Sequence, residues 1–155
     1  MQRIDINTEQ RSYEAIIEPG ILRSAGALLR EKIPSAKRVF CVSVAKVRRI
    51  YGPALAESMK AAGLEYQVVE MPDGERYKRL STVDDLAEKL VKAGADRNSV
   101  VVALGGGVVG DVAGFLASIY MRGVDFVQVP TTLLAQVDAI YDEARKKGIQ
   151  PGQLR

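Results

Sequence analysis

The sequence predicts an α/β fold in which helices cover both faces of an open, mostly parallel β-sheet. Strand-like and helix-like segments alternate along most of the chain, as they do in parallel sheets with helical crossovers. Two strand segments, residues 38–44 (RVFCVSV) and 99–104 (SVVVAL), are nearly continuous apolar runs, which is typical of strands buried on both sides. A glycine-rich loop follows the second of these runs.

The N-terminal segment has a different pattern. Residues 2–8 and 13–18 look like two short strands, and Pro19-Gly20 ends the second one, so an antiparallel hairpin is expected ahead of the parallel sheet. The other predicted strands are residues 38–44, 64–70, 99–104 and 124–129. The predicted helices are residues 21–31, 45–62, 81–93 and 108–120. We expect Gly52-Pro53 to bend or divide the second helix, and Ser81 or Thr82 to cap the third.

The composition excludes several classes of chemistry. Hydrophobic residues make up 47% of the 155 residues and charged residues 26%, as in ordinary globular domains. The sequence contains no His and a single cysteine, Cys41. Imidazole general-base catalysis, Ser-His-Asp and Cys-His arrangements, intrachain disulfides and metal sites built from His or several thiolates are therefore excluded.

The charge pattern does not favour a nucleic acid or a membrane as a partner. The net charge is +3, and the basic clusters at residues 48–49 and 145–147 are interpreted as solvated faces because no aromatic side chains interleave with them. No apolar run reaches the ~18 residues that a membrane span needs, and the N-terminus has no apolar signal core. A cytoplasmic location is expected, in line with one free thiol.

The glycine-rich loop, residues 104–111 (LGGGVVGD), is the strongest motif in the chain. Glycines permit positive φ and close backbone approach, and the start of the following helix offers free N–H groups to an anion. The loop follows the carboxyl end of a strand, where open α/β sheets bind their ligands. We therefore predict a phosphate-binding loop rather than a plain tight turn. Asp111 either accepts hydrogen bonds from a hydroxyl-rich ligand or favours the helix dipole.

Two further loops carry polar groups at strand ends. Thr131 and Thr132 follow the last predicted strand, and Thr131 is either a helix N-cap or part of a ligand wall. Residues 72–78 (PDGERYK) follow the strand at 64–70, and Glu75 and Lys78 are spaced to form a surface ion pair. Three such loops suit a nucleotide that lies across the sheet edge.

The sequence resembles the 3-dehydroquinate synthase family. The resemblance is carried by residues 72–78, by residues 103–115 (ALGGGVVGDVAGF), by residues 120–124 (YMRGV) and by residues 128–138 (QVPTTLLAQVD). It covers about residues 1–138 and implies a Rossmann-like, NAD-binding domain. The family converts the sugar acid phosphate DAHP to 3-dehydroquinate in the shikimate route, using NAD and a divalent metal, zinc or cobalt.

The resemblance also implies roles for individual residues. NAD contacts fall on Glu75 and Lys78 in the ribose region, and Asp111 lies near the nicotinamide side. The pyrophosphate positions are Gly106, Gly107 and Val108, and the pocket wall is formed by Thr131, Thr132, Leu134 and Asp138. Asp138 would also face the substrate cleft, and Arg122 matches a basic position that helps to hold the substrate phosphate in the family's dimer.

The sequence departs from the family pattern at two places. Residues 43–47 (SVAKV) replace the family's Thr-Asp-x-x-Val, so Val44 stands where an Asp would hold the adenosine end of NAD. Residues 139–155 form a divergent tail, expected to be helical, in place of the loop that leads to the domain bearing the family's metal ligands. We expect no metal ligands in this chain, no activity of the chain alone, and self-association or a homodimer.

Two other interpretations remain open. In the first, the chain is a non-catalytic nucleotide-binding module; in the second, it is a fragment of a related enzyme. The related enzymes are the sugar phosphate cyclases that make inosose or valiolone skeletons and the metal-dependent polyol dehydrogenases, which have a glycine-rich loop and a Pro-Thr-Thr segment.

Overall fold

The computed structural model describes residues 1–7 and 12–136, and its first unit is a two-stranded hairpin. Strands β1 (Gln2–Asn7) and β2 (Ser12–Ile17) pair antiparallel, with Ile4 opposite Ala15. Ile6 is buried whereas its neighbours along the strand are exposed, because alternate side chains of a strand point to opposite faces. The predicted N-terminal hairpin is confirmed.

The central sheet has four parallel strands. They are β3 (Arg38–Ser43), β4 (Glu65–Glu70), β5 (Val100–Gly105) and β6 (Asp125–Pro130), in the order β4-β3-β5-β6. The chain moves outward from β3 to β4 and then returns to the other side of β3 for β5 and β6. The strand order therefore reverses between β3 and β5, and such a switch point opens a crevice at the carboxyl ends of the strands.

Helices cover both faces of this sheet, as predicted. Helices α1 (Ala25–Lys32) and α2 (Ala45–Ala61) pack on one face, and α3 (Leu80–Lys92) and α4 (Gly107–Ile119) pack on the other. Strand β3 serves both layers: Val39 and Cys41 belong to the core under α1 and α2, and Phe40 and Val42 to the core under α3 and α4. A strand buried on both faces needs the continuous apolar run seen in the sequence.

Several predicted helix details are wrong. The helix expected over residues 21–31 is a 3₁₀ turn, Ile21–Arg23, followed by α1. Gly52-Pro53 does not divide α2, which continues through them as one helix. The cap of α3 is Arg79, in an extended conformation and without a side-chain cap bond. Thr82 already donates its backbone N–H to the Arg79 carbonyl, so Ser81 and Thr82 lie inside the first turn.

Part of the sequence prediction concerns residues beyond the described ranges. Asp138 and the tail at residues 139–155 lie outside them, and their predicted roles stay predictions. Among the helices of residues 1–7 and 12–136, none combines the length and apolar character required of a membrane span. The expected cytoplasmic location also stays a prediction.

Candidate functional site

The tips of β3 and β5 are joined directly at the switch point. The buried Ser43 hydroxyl donates a hydrogen bond of 2.7 Å to the Leu104 carbonyl oxygen, just before the glycine loop. A fixed partner for a buried hydroxyl holds both strand ends in register. The sequence signal for this role of Ser43 is a lone polar side chain at the end of an apolar strand, which local spacing alone does not connect to Leu104.

The three glycines of the loop have different functions. A Cβ on Gly105 would lie 2.6 Å from the Val109 Cβ, and one on Gly106 would lie 3.3 Å from Thr132 Cγ2. The packing of the protein itself therefore requires glycine at position 105 and leaves little room for a side chain at position 106. A Cβ on Gly107 would meet no atom within 4 Å. The residues that the structure describes therefore leave the space at Gly107 open, as expected where a ligand approaches the backbone.

The predicted use of positive φ in this loop is wrong. The described glycines with positive φ are Gly20, Gly63, Gly74, Gly94 and Gly123. The loop instead depends on close approach between backbone and neighbouring atoms.

The loop places the N-terminus of α4 at the crevice. Gly106 is the N-cap in an extended conformation, it makes no side-chain cap bond, and Gly110 N–H donates to its carbonyl at 3.0 Å. The first backbone N–H groups of a helix have no partner within the helix, and the helix dipole adds positive potential at this end. With the open space at Gly107, this arrangement fits a phosphate group. We call residues 105–108 and the α4 N-terminus the glycine cradle.

An ion pair crosses the side of the glycine cradle. Lys78 Nζ lies 2.6 Å from an Asp111 carboxylate oxygen, and both side chains are about half exposed. The hydrogen bond to Asp111 and the charge of that carboxylate raise the pKa of Lys78, and the charge of Glu75 adds to this effect. The predicted Glu75–Lys78 pair is thus wrong as to the partner, because residues 75–77 form a 3₁₀ turn that directs Lys78 to α4.

The threonines form the opposite wall of the glycine cradle. Thr132 Oγ1 accepts a hydrogen bond of 3.2 Å from Ala135 N–H, so Thr132 caps the helical residues 133–136. The interpretation of Thr131 as the N-cap is therefore wrong. Thr131 N–H donates to the Gly105 carbonyl at 2.9 Å, which fixes this wall to the loop. Leu134 is exposed.

Arg122 is not brought to the glycine cradle. It lies in a 3₁₀ turn, Tyr120–Arg122, between α4 and the start of β6. It is therefore at the amino edge of the sheet, and the six residues of β6 separate it from the carboxyl edge by about 20 Å. Met121 and Arg122 have φ values of 47° and 70°, a left-handed conformation that is strained for side chains with a Cβ.

Val44 and Gly110 also have defined surroundings. Val44 is buried in the core at the end of β3 and is the N-cap of α2, so it offers no side-chain hydrogen bond to a ligand. A Cβ on Gly110 would lie 2.7 Å from Gln128 Nε2, the end of a flexible side chain. The described residues contain no group of three or more His, Cys, Asp or Glu side chains positioned to hold a metal ion.

A glycine-lined helix N-terminus at the switch point of an open parallel sheet defines a Rossmann-like nucleotide-binding domain. Residues 68–150, more than half of the sequence, match the family model described as 3-dehydroquinate synthase N-terminal. The chain belongs to this family.

Individual relatives agree with this assignment. The chain is 48% identical over 139 residues to the 3-dehydroquinate synthase of Koribacter versatilis, covering 90% of this chain and 38% of that protein. It is 29% identical, with a TM-score of 0.80, to 2-deoxy-scyllo-inosose synthase complexed with carbaglucose-6-phosphate, NAD+ and Co2+, covering 90% and 38% of the two chains.

A third relative is a solved 2-epi-5-epi-valiolone synthase from Streptomyces hygroscopicus with NAD+ and Zn2+ bound. It is 32% identical to this chain with a TM-score of 0.71, and the match covers 89% of this chain and 37% of that one. The chain therefore spans little more than a third of the length of the relatives that it matches.

Proposed function

We propose that this chain is the cofactor-binding part of a 3-dehydroquinate synthase, with NAD lying across the carboxyl edge of the sheet. The observation that carries the proposal is the space that the described residues leave open at Gly107, beside the α4 N-terminus, whose first amides have no partner within the helix. The higher identity to a 3-dehydroquinate synthase, 48% against 29% and 32% for the other cyclases, favours DAHP as the substrate of the complete enzyme over the substrates of those relatives.

Different residues in and around the glycine cradle contact different parts of the cofactor. The backbone amides at Gly106, Gly107 and Val108 bind the pyrophosphate, because they combine free donors with the positive end of the helix dipole. Thr131, Thr132 and Leu134 form the wall facing it, and that wall excludes water from one side of the cofactor.

The ion pair beside the glycine cradle holds the hydroxyl-rich part of the cofactor. Lys78 and Glu75 bind ribose hydroxyls, and the Asp111 carboxylate accepts a hydrogen bond near the nicotinamide. Both members of the Lys78–Asp111 pair are half exposed. Breaking this ion pair so that each side chain can bind the ligand therefore costs little free energy. When bound, NAD supplies a hydride acceptor for a secondary alcohol of the substrate.

The remaining site residues act only in the complete enzyme. Asp138 is proposed to face the substrate cleft. Arg122 is proposed to bind the substrate phosphate of a second copy, since about 20 Å separates it from the glycine cradle of its own chain. The described residues do not fit a zinc or cobalt site, so no step through a metal is assigned to them. We expect the purified chain to release no phosphate from DAHP when NAD and zinc are supplied; measurable turnover would contradict this.

Calorimetric titration of the chain with NAD+ tests the cofactor role. We expect saturable binding, and about a tenfold loss of affinity in Asp111→Asn, since a hydrogen bond to a charged group is lost. The matched control is Lys92→Gln, which removes an exposed ion pair with Glu88 at the far end of α3 and should leave the affinity unchanged. Absence of binding, or full affinity in the Asp111 variant, would contradict the proposal.

A further inference from the structure

Three hydrogen bonds connect the tips of all four parallel strands at the carboxyl edge of the sheet. The Met71 N–H, directly after β4, donates to the Ser43 carbonyl oxygen at 3.0 Å. The Ser43 hydroxyl donates to the Leu104 carbonyl oxygen at 2.7 Å. The Thr131 N–H, directly after β6, donates to the Gly105 carbonyl oxygen at 2.9 Å. We call these three bonds the edge ladder.

The edge ladder lies at the base of every loop that is proposed to hold the cofactor. The loop that carries Glu75 and Lys78 begins directly after Met71. The glycine cradle begins at Gly105, and the wall formed by the threonines begins at Thr131. The middle bond of the ladder therefore joins the loop that follows β4, on one side of the switch point, to the two loops on the other side.

This middle bond depends on the Ser43 side chain. Backbone pairing between β3 and β5 ends where Ser43 lies opposite Leu104, and the chain then turns into α2 with Val44 as the N-cap. The hydroxyl has one proton, and the Leu104 carbonyl oxygen, at 2.7 Å, is much closer to it than the Val44 carbonyl oxygen at 3.4 Å. The other two bonds of the ladder join backbone atoms, so the middle bond is the one that a substitution can remove.

We propose that Ser43 is a positioning residue for the dinucleotide: its hydroxyl fixes the distance between the glycine cradle and the loop at residues 72–78. The inference rests on the proposed function, because it requires the pyrophosphate to occupy the glycine cradle while Glu75 and Lys78 bind ribose hydroxyls. The Ser43 side chain is fully buried, so it acts on the ligand only through the two loops. Loops that are held in place before binding need not be ordered by the ligand, and this raises the affinity.

Calorimetric titration of the 155-residue chain and its Ser43 variants with NAD+ tests the inference. We expect Ser43→Ala to weaken NAD+ binding about tenfold, because the buried Leu104 carbonyl loses its donor and the two loops are no longer held at a fixed distance. Ser43→Thr keeps the hydroxyl and should bind NAD+ more tightly than Ser43→Ala.

Ser99→Ala is the matched control. Ser99 is a buried serine at the opposite edge of the same sheet, directly before β5, and its hydroxyl donates to an Asp96 carboxylate oxygen at 3.0 Å. Urea unfolding of the same samples should show that Ser99→Ala and Ser43→Ala both lower the free energy of unfolding, because each removes a buried hydrogen bond. Ser99→Ala should leave the NAD+ affinity unchanged. The comparison separates the positioning of the loops from the general stability of the fold.

The outcomes separate the inference from the proposed function. If the parent chain does not bind NAD+, the proposed function fails and the inference fails with it. If Ser43→Ala binds NAD+ as tightly as the parent chain, the inference is overturned and the proposed function stands. An equal loss of affinity in Ser99→Ala also overturns the inference, because lower stability alone then explains the effect. Binding by Ser43→Thr that is as weak as binding by Ser43→Ala overturns it too, since the hydroxyl is then not responsible.

Discussion

Gly107 is a position where the packing of the fold does not require glycine but the approach of a ligand does. Of the two glycines before it, Gly105 is required because a side chain would collide with Val109, and Gly106 has little room beside Thr132. Nothing in the described protein competes for the space at Gly107. A methyl group there should therefore be harmless to the fold and harmful to a ligand that approaches the backbone.

Gly107→Ala is expected to lower the affinity for the dinucleotide by at least about tenfold without loss of stability. Because alanine favours a helix over glycine by up to about 1 kcal/mol, the free energy of unfolding should stay the same or rise. Gly114→Ala is the matched control in the same helix, since its Cβ would make an ordinary contact of 3.5 Å with the Phe126 ring. Urea unfolding and calorimetry measure the two properties, and full affinity in Gly107→Ala would exclude a ligand at this position.

The sequence predicts where the residues of this candidate site lie better than it predicts their partners. Residue type and position after a strand identified the glycine loop, Asp111 and the threonines. The Lys78–Asp111 pair joins residues 33 positions apart, and such contacts depend on tertiary packing that local spacing does not encode. The cap at Thr132 instead of Thr131 is a shift of one residue, within the usual uncertainty of helix ends.

At the scale of elements, α1 and α2 are held at an unusually close distance. The Gly26 backbone N–H donates to the buried Ser58 hydroxyl at 2.9 Å, and a Cβ on Gly26 would overlap the Ser58 carbonyl group. Gly26 is the second residue of α1, where its N–H has no partner within the helix and is free to bind Ser58. The close contact with α2 explains why glycine is needed there.

Gly26→Ala is expected to destabilise the protein by about 1–3 kcal/mol, because overpacking forces α1 away from α2 and weakens a buried hydrogen bond. Denaturant unfolding with an unchanged slope would measure this loss. Gly114→Ala again serves as the comparison and should alter the free energy of unfolding by no more than about 1 kcal/mol. Equal stability of Gly26→Ala and the parent chain would show that the helices can separate at no cost.

Strands were predicted more accurately than helix starts, and the reason is physical. All six strands lie within one residue or two of their predicted bounds, because burial on one or both faces imposes a clear apolar pattern. The start of α3 was misplaced because serine and threonine are good caps in general. Here Arg79 takes the cap position through its extended backbone alone.

At the scale of the whole molecule, the alternation of strands and helices predicts parallel pairing but not strand order. The order β4-β3-β5-β6 depends on which strand the chain pairs with after β4, a choice between distant partners. Strand β3 is one of the two inner strands, with neighbours on both sides, and Cys41 is fully buried within it. Cys41 is therefore a probe of the global fold.

Burial raises the pKa of the Cys41 thiol to about 11, and stability should fall at alkaline pH as a result. Between about pH 9 and pH 11 the unfolded chain has lost the thiol proton while the folded chain retains it, so the free energy of unfolding decreases as pH rises. The two pKa values differ by about 2 units, which sets the loss at about 3 kcal/mol at most.

Urea unfolding at several pH values between 8 and about 11 measures this dependence. Cys41→Val should make the decline shallower, although burial also raises the pKa of Tyr66, so a smaller decline remains above about pH 10. An identical decline in both proteins would show that the thiol is not responsible.

The left-handed turn at Met121 and Arg122 lowers the stability of the fold but keeps the charged Arg122 side chain. The conformation costs about 1–2 kcal/mol for a residue with a Cβ, and glycine would avoid this cost at a smaller loss of about 0.4–1 kcal/mol in unfolded-state entropy. A thermostability screen would thus favour Gly at position 122 and remove the guanidinium. Engineering of this domain for heat resistance alone would begin by discarding the group proposed to serve a second copy.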